Sequence, residues 1–217
     1  MSAKEEWLGR HESSERISRL YSLLIRAEEI HEEYEEPPTT DLKYLFTVGG
    51  MEGTVKGRGP QPYTQIYFEI AREHLRFLKE VLLPFSRKTM ETGIEFLAFT
   101  TDEGEYAIFE GEENRVTLPM PHGVTSAHTH PGICLFSKPD LETADSLFIR
   151  GYVSVAVMNP TCALLLFKSG PYTLEDREAL SDLAKRVKKA KDVRELAQAY
   201  ADFKAGNLQI WSTPLDR

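Results

Sequence analysis

The order of helix-like and strand-like segments predicts an α/β fold, a mixed β-sheet sandwiched between helices, with further helices at both ends of the chain. Helical periodicity of apolar residues occurs before, between and after two groups of short strand-like runs. The chain has 217 residues, which is enough to bury a hydrophobic core without the help of disulfides.

The N-terminal region combines an amphipathic helix with a glycine-rich segment. Residues 13–35 carry apolar side chains at helical spacing, and Pro37 and Pro38 end this helix. Residues 42–55 alternate apolar residues with glycine, which predicts a hairpin or a mobile loop. We therefore assign residues 1–62 to a helical and glycine-rich extension.

The central region, residues 63–170, contains the predicted sheet. One helix is predicted at residues 64–83, ended by Pro84. A second is predicted at residues 140–150, closed by Gly151. Strands are predicted at residues 94–100, 105–110, 115–118, 124–128, 153–158 and 162–167.

The C-terminal segment, residues 171–217, is predicted to form one long helix packed on the core. Thr173 and Asp176 have the spacing of a capping box. Apolar residues then recur at spacings of three and four between Leu180 and Phe203.

The charge balance excludes several classes of function. The chain has 26 Lys and Arg against 34 Asp and Glu, a formal net charge of −8. This argues against a nucleic-acid partner, because such binding requires clustered basic residues. Neither an apolar signal region nor a membrane-spanning window is present in the sequence. Two cysteines do not make a disulfide framework. We therefore expect a cytoplasmic protein with no nucleic-acid and no membrane partner.

One segment combines residue types that can bind a metal. His128 and His130 are two residues apart in an extended segment, so their side chains lie on one face and can bind the same ion. Pro131 turns the chain, and the following loop is long enough to return Asp140 as a third ligand. Three protein ligands and one open position are the stoichiometry of a catalytic zinc.

A second explanation covers part of this segment. Ser137 and Asp140 also fit a helix start, with Ser as N-cap and Asp as the capping-box carboxylate. This explanation leaves the two histidines unaccounted for. In a chain of this composition an HxH pair arises by chance roughly one time in six, and the adjacent proline makes it roughly 18-fold rarer. We favour the metal site, which a capped helix start would also help to hold.

The cysteines and two further histidines receive structural assignments. Cys134, in the same loop, is either a fourth, soft ligand or a small buried thiol, and we favour the buried thiol. Cys162 begins an apolar run and is assigned to the core. We place His74 on the flank of the first core helix and His122 in a turn.

His-Thr-His-Pro at residues 128–131 and Ser-Lys-Pro-Asp at residues 137–140 resemble the JAMM motif, HxHP followed by SxxD. This motif belongs to the MPN/JAB zinc metalloprotease family, and the resemblance is to its prokaryotic and archaeal members over about residues 64–170. It implies an MPN-like, cytidine-deaminase-like fold. The family motif has seven residues between the second His and the Ser, whereas this chain has six.

The resemblance also implies a role for each site residue. His128, His130 and Asp140 would hold Zn²⁺ and leave a water in the fourth position. A family glutamate at the start of the first core strand corresponds to Glu95, which would be the general base. The Ser137 hydroxyl would stabilise the oxyanion. Taken alone, Glu95 fits an exposed carboxylate at a strand end; the other four residues and their order favour catalysis.

The implied function is that of a JAMM-type zinc metallopeptidase or isopeptidase, a deubiquitinase-like hydrolase that cleaves isopeptide or peptide bonds. Its partner would be a protein or peptide substrate, such as a conjugate of a ubiquitin-like or sulfur-carrier modifier. Only 33 positions separate Glu95 from His128, which leaves little room for family insertions that grip the modifier and predicts a compact, open cleft. The alternatives are a non-catalytic MPN interaction scaffold and a RadC-like protein of unclear activity. A homodimer is a candidate oligomeric state.

Overall fold

A computed structural model describes residues 6–34, 64–111 and 122–215 of the chain. The strands are β1 (Glu6–Arg10), β2 (Phe96–Thr101), β3 (Glu105–Glu110), β4 (Gly123–Thr129), β5 (Ser154–Met158), β6 (Cys162–Lys168) and β7 (Leu208–Pro214). The helices are α1 (Glu12–Tyr34), α2 (Gln65–Phe77), α3 (Leu83–Thr92), α4 (Lys138–Ile149), α5 (Leu174–Lys189) and α6 (Val193–Ala201), and a π-helical turn, Leu78–Leu82, joins α2 to α3.

The seven strands form one mixed sheet in the order β1-β3-β2-β4-β5-β6-β7. β4 and β5 are parallel, and all the other neighbouring pairs are antiparallel. A parallel pair needs a crossover connection, and α4 provides it. The predicted mixed α/β fold is therefore confirmed.

Helices cover both faces of the sheet, and successive side chains of the central strands point to opposite faces. On β6, Leu164 and Leu166 pack with residues of α4, α5 and α6, whereas Leu165 and Phe167 pack with residues of α2. α1 lies over α2 and adds a further apolar cluster. β5 lies inside the sheet and is buried on both faces.

The first core helix does not end at Pro84, so that prediction was wrong. The helical segment continues from α2 through the π-helical turn into α3, and Pro84 lies in the first turn of α3. Hydrogen bonds in a π turn are more widely spaced, so the helical segment can continue although Pro84 has no N–H to donate. The segment ends instead at Gly93, whose φ of 76° is left-handed and whose N–H donates to the Thr89 carbonyl at 2.8 Å.

The two ends of the chain add edge strands that the hydrophobic periodicity did not predict. β1 pairs with β3, and β7 pairs with β6. Instead of one long C-terminal helix there are two, because the Asp192 side chain accepts from the N–H of Glu195 and starts α6. The predicted capping box of Thr173 and Asp176 is present at the start of α5.

Three sequence predictions concern residues outside the described ranges: the strand at 115–118, the glycine-rich segment at 42–55 and the helix end at Pro37 and Pro38. The other predicted strands and the helix before Gly151 are observed with bounds within a few residues. None of the helices in the described ranges is long and apolar enough to cross a membrane.

Candidate metal centre

The parallel strand pair and α4 bring the three predicted metal ligands together. His128 lies near the end of β4. His130 follows the strand, and its N–H donates to the Met158 carbonyl of β5 at 2.8 Å. Asp140 lies in the first turn of α4. The site therefore forms where the chain leaves β4 and enters the crossover helix.

The ligand atoms of the three residues lie within 4.8 Å of one another, and we call them the ligand triangle. The two Nε2 atoms are 2.9 Å apart, Nε2 of His128 is 3.3 Å from Asp140 Oδ1, and Nε2 of His130 is 3.5 Å from Asp140 Oδ2. Ligands bound tetrahedrally at about 2.0–2.1 Å from zinc are themselves about 3.3 Å apart. Within the described ranges, this is the one group of at least three His, Cys, Asp or Glu residues found with ligand atoms so close together. The donor set and its spacing fit zinc.

The His130 ring is oriented by a hydrogen bond outside the triangle. Its Nδ1–H donates to the Ile133 carbonyl at 3.0 Å, which leaves the Nε2 lone pair directed at the other ligand atoms. Such a partner fixes the tautomer that a metal requires. The loop between β4 and α4 thus both returns Asp140 and holds a histidine in its ligand form.

Ser137 and Asp140 form the predicted capping box at the start of α4. The Ser137 hydroxyl and N–H donate to Asp140 Oδ2 at 2.6 and 2.7 Å, and the Asp140 N–H donates to the Ser137 hydroxyl at 3.4 Å. Oδ1 of the same carboxylate remains available beside His128. Oδ2 forms the cap and lies 3.5 Å from His130 Nε2, whereas Oδ1 has no part in the cap, so one carboxylate can cap the helix and offer an oxygen to a metal.

The electrostatics of the cluster favour an ionised carboxylate between two imidazoles. Burial alone would raise the pKa of Asp140, but hydrogen bonds with His128, His130 and Ser137 outweigh it and hold that pKa well below its usual range. Burial alone would lower the pKa of His130. Its hydrogen bonds with Asp140 and the Ile133 carbonyl, together with the charges of Asp140 and Glu95, outweigh burial and leave that pKa raised. His130 and Asp140 therefore stabilise each other's charged forms.

Glu95 lies beside this cluster, in the residue that precedes β2. Its carbonyl accepts from the Gly111 N–H at 2.8 Å, and its side chain is exposed. β2 and β4 pair Leu97 with His128, and continuing this antiparallel register by two residues puts Glu95 opposite His130 on the same face. Its negative charge acts on His130. The structure thus brings all five predicted site residues to one end of the sheet.

Cys134 does not join the ligand group. Its thiol is buried and donates to the Val157 carbonyl at 3.5 Å. Cys162, at the start of β6, is partly buried and packs against the apolar core.

Two residues that the sequence analysis did not identify anchor the loop between β4 and α4. The Asn159 Nδ2 donates to the Gly132 carbonyl at 2.8 Å. The Tyr200 hydroxyl of α6 donates to the Phe136 carbonyl at 2.5 Å, one residue before Ser137. These hydrogen bonds fix the loop on both sides of Ile133, whose carbonyl accepts the hydrogen bond from the His130 ring. Spacing motifs give no signal for such contacts.

His74 is also placed differently from the prediction of a helix flank. It is only 1% exposed, and its Nδ1 lies 2.8 Å from the Ser154 hydroxyl. Burial lowers the pKa of His74 to about 3, so the ring is neutral at physiological pH. His122 is exposed at a bend, as expected for a turn residue.

Comparisons with models of protein families, with curated proteins and with solved structures found no match to this chain. The functional interpretation therefore rests on the residues of the site and their geometry.

Proposed function

We propose that this protein is a zinc-dependent hydrolase of the JAMM type that cleaves isopeptide or peptide bonds. The observation that carries the proposal is the triangle of His128, His130 and Asp140 ligand atoms, with Glu95 on the same face. An MPN-like, cytidine-deaminase-like form of the mixed α/β fold is part of the same proposal. The parallel pair β4–β5 with its crossover helix supports it.

The three ligands have distinct parts in holding the ion. His128 and His130 offer neutral Nε2 atoms, and Asp140 offers Oδ1 while Oδ2 stays bound to Ser137. When bound, zinc supplies a Lewis acid that polarises the scissile carbonyl and lowers the pKa of a water molecule. With three protein ligands, one coordination position is left for this chemistry.

Glu95 is assigned the proton transfers. Its exposed carboxylate accepts a proton from the attacking water as the carbon–oxygen bond forms. It then delivers that proton to the leaving amine nitrogen as the carbon–nitrogen bond breaks. One residue serves both steps, because the base of the first step is the acid of the second.

Ser137 is assigned to the oxyanion that develops on the substrate carbonyl. Its hydroxyl has one proton, which is donated to Asp140 Oδ2 in the free protein. The Ser137 N–H donates to the same oxygen. When the hydroxyl turns toward an oxyanion, Asp140 keeps this second hydrogen bond and its orientation. Asp140 therefore loses one of its two hydrogen bonds from Ser137, whereas the transition state gains a charge-assisted hydrogen bond.

The openness of the site favours a polypeptide substrate. Glu95 and Ser137 are exposed, and the three ligand side chains are 15% to 21% exposed. A site for a small molecule encloses most of its ligand. An open site at the end of a sheet instead admits an extended chain. The protein or peptide substrate proposed is a conjugate of a ubiquitin-like or sulfur-carrier modifier.

Zinc content and zinc-dependent hydrolysis test the proposal together. Purified protein should bind about one zinc ion per chain, and His128→Ala should lose it. His122→Ala is the matched control, because this histidine is exposed at a bend away from the ligand group. Hydrolysis of linear and isopeptide-linked modifier conjugates should need zinc. A protein that binds no zinc would refute the proposal, and one that binds zinc but cleaves neither conjugate would favour a non-catalytic scaffold.

A further inference from the structure

The peptide bond that follows Glu95 is held on both sides. Its carbonyl, which belongs to Glu95, accepts from the Gly111 N–H at 2.8 Å. Its N–H, which belongs to Phe96, donates to the Thr129 hydroxyl at 2.8 Å. Thr129 is the residue between the two histidines of the ligand triangle. We call this pair of hydrogen bonds the Glu95 clamp. It links the backbone of the proposed general base to the segment that carries the ligands.

The clamp begins where the pairing of β2 with β4 ends. This antiparallel pairing runs as far as Leu97 and His128, one residue short of Phe96. At Phe96 the hydroxyl of Thr129 accepts the backbone hydrogen bond instead. Without it, only the hydrogen bond on the β3 side would hold the backbone at Glu95, and the ends of strands open easily.

A second threonine orients the hydroxyl of the first. Thr129 Oγ1 lies 2.6 Å from Thr89 Oγ1 of α3, and Thr89 Oγ1 donates to the Phe85 carbonyl at 3.1 Å. Because a carbonyl can only accept, the Thr89 proton goes to Phe85 and the Thr129 proton goes to Thr89. Thr129 then offers a lone pair to the Phe96 N–H. The hydrogen bonds therefore run in one direction, from Phe96 through both threonines to Phe85.

Burial keeps water from replacing these hydrogen bonds. Thr89, Thr129 and Phe96 are each 0% exposed, whereas the Glu95 side chain is exposed. A buried N–H that loses its partner is not compensated by solvent, so the free energy favours the intact clamp. The carboxylate can therefore meet water and substrate while its backbone stays fixed relative to the ligand triangle.

A second pair of threonines joins the same two strands without a contact at Glu95. Thr100 and Thr125 are buried near the other end of β2, and their hydroxyls lie 2.7 Å apart. This pair connects side chain to side chain, whereas the Thr129 hydroxyl also binds the backbone next to Glu95. Thr100 and Thr125 therefore serve as a control for the stability that such a pair provides.

We propose that Thr129 and Thr89 are positioning residues, which hold Glu95 at the place relative to the ligand triangle that proton transfer requires. This role rests on the proposed function, in which Glu95 is the general base. Groups in such a site must be held within about 0.5 Å, and a displacement of about 1 Å can cost roughly 100-fold in rate. Both threonines are buried, so each acts through the backbone at Glu95 and not by contact with substrate.

Steady-state kinetics of threonine variants test the proposal. Thr129→Val removes the hydroxyl, so kcat on linear and isopeptide-linked modifier conjugates should fall roughly 10- to 100-fold at equal zinc content, with little change in KM. Thr129→Ser keeps a hydroxyl and should recover most of the rate. Thr100→Val is the matched control, because it removes a buried hydroxyl between the same strands. A purely structural role would lower stability in both valine variants and kcat in neither.

Thr89→Val examines the second hydrogen bond of the series. In this variant Thr129 still accepts from the Phe96 N–H, but its own proton has lost its acceptor. We therefore expect kcat to fall less than in Thr129→Val. Combining the two substitutions should cost little more than Thr129→Val alone, because the two hydroxyls act as one unit. Losses that simply multiply would overturn the linked arrangement.

Amide hydrogen exchange followed by NMR gives a readout that does not depend on hydrolysis. In zinc-free wild type the Phe96 amide should exchange slowly, and in Thr129→Val it should exchange roughly 10-fold faster or more. Thr100→Val should keep the wild-type rate at Phe96. If Thr129→Val fails to fold, the wild-type measurement decides, because rapid exchange at Phe96 would overturn the clamp.

Failure of this proposal differs from failure of the proposed function. A zinc-loaded wild type that hydrolyses neither conjugate refutes the proposed function and the positioning role with it. A wild type that does hydrolyse a conjugate, with the same kcat as folded Thr129→Val, refutes the positioning role alone.

Discussion

Ser137 donates two hydrogen bonds to one oxygen of Asp140, from its hydroxyl at 2.6 Å and from its N–H at 2.7 Å. The other oxygen of that carboxylate lies 3.3 Å from His128 Nε2. The cap that starts α4 therefore also orients the carboxylate of a candidate metal ligand. This explains why one short motif can satisfy both a helix start and a metal site.

Asp140→Asn separates the two tasks of this carboxylate. The amide oxygen can still accept from Ser137, so α4 should stay capped and the thermal midpoint of the zinc-free protein should change little. The negative charge at the ligand triangle is lost. Zinc affinity should therefore fall by more than the roughly 10–100-fold typical of losing a partner outside the ligand set. Competition with a fluorescent chelator measures it, and unchanged affinity would remove Asp140 from the ligands.

Zinc binding should weaken as the pH falls. The raised pKa of His130 means that this ring of the free site binds a proton more tightly than a free imidazole does. Zinc needs the neutral ring and must displace that proton. Asp140, with its lowered pKa, stays ionised throughout this range. Titrations at pH 6, 7 and 8 should show affinity rising with pH and protons released on binding.

Through His130, the zinc-free protein should become less stable as the pH rises, whereas its zinc affinity increases. A folded-state pKa above the unfolded value of 6.5 gives a stabilising contribution that is complete below 6.5 and lost as the pH rises through the folded value. His130→Gln should remove this contribution. An identical pH profile in wild type and variant, followed by chemical unfolding of zinc-free protein, would contradict the assigned hydrogen bonds.

Tyr200→Phe should weaken the support of the loop without touching a ligand. It removes the 2.5 Å hydrogen bond to the Phe136 carbonyl, and we expect a loss of about 1 kcal/mol in unfolding free energy and a measurable drop in zinc affinity. Tyr172→Phe is the matched control, because its hydroxyl donates to Asp145 at 2.7 Å, outside the ligand group. The control should lose stability but keep its zinc affinity. Equal zinc affinity in all three proteins would refute the role of Tyr200.

His74 should make the fold sensitive to acid. Its folded pKa of about 3 lies below the unfolded value of 6.5, so the neutral ring is favoured and stability falls as the pH drops from 6.5 toward 3. The slope from this one group approaches about 1.4 kcal/mol per pH unit. His74→Gln keeps a polar partner for Ser154 but does not titrate. Urea unfolding between pH 4 and 7 should show a shallower slope for the variant; parallel slopes would exclude His74 as the cause.

Local patterns predicted the parts of this protein that depend on local chemistry. The spacing of His128 and His130, and of Ser137 and Asp140, follows from strand and helix-cap geometry and therefore placed these residues in one candidate site. The alternation of apolar residues likewise located the buried strands. The proposed roles of Glu95 and Ser137 in catalysis stay predictions, since they concern a reaction that the geometry supports but does not test.

The features that could not be predicted depend on contacts distant in sequence. Tyr200 lies 64 positions from Phe136, and Asn159 reaches Gly132, 27 positions away, only because the β4–α4 loop lies beside the turn between β5 and β6. β1 and β7 join the sheet at edges that periodicity does not identify. Proline generally ends a helix, but at Pro84 the π-helical turn lets the helical segment continue without the N–H that proline lacks. Tertiary packing decides each of these outcomes.

The steady-state rate of Glu95→Gln tests the central claim most directly. Wild type, Glu95→Gln and the exposed control Glu91→Gln are first loaded to equal zinc content and then assayed on linear and isopeptide-linked modifier conjugates. Loss of the general base should lower kcat roughly 100- to 10,000-fold in Glu95→Gln and leave Glu91→Gln unchanged. Equal turnover by all three zinc-loaded proteins would contradict the account.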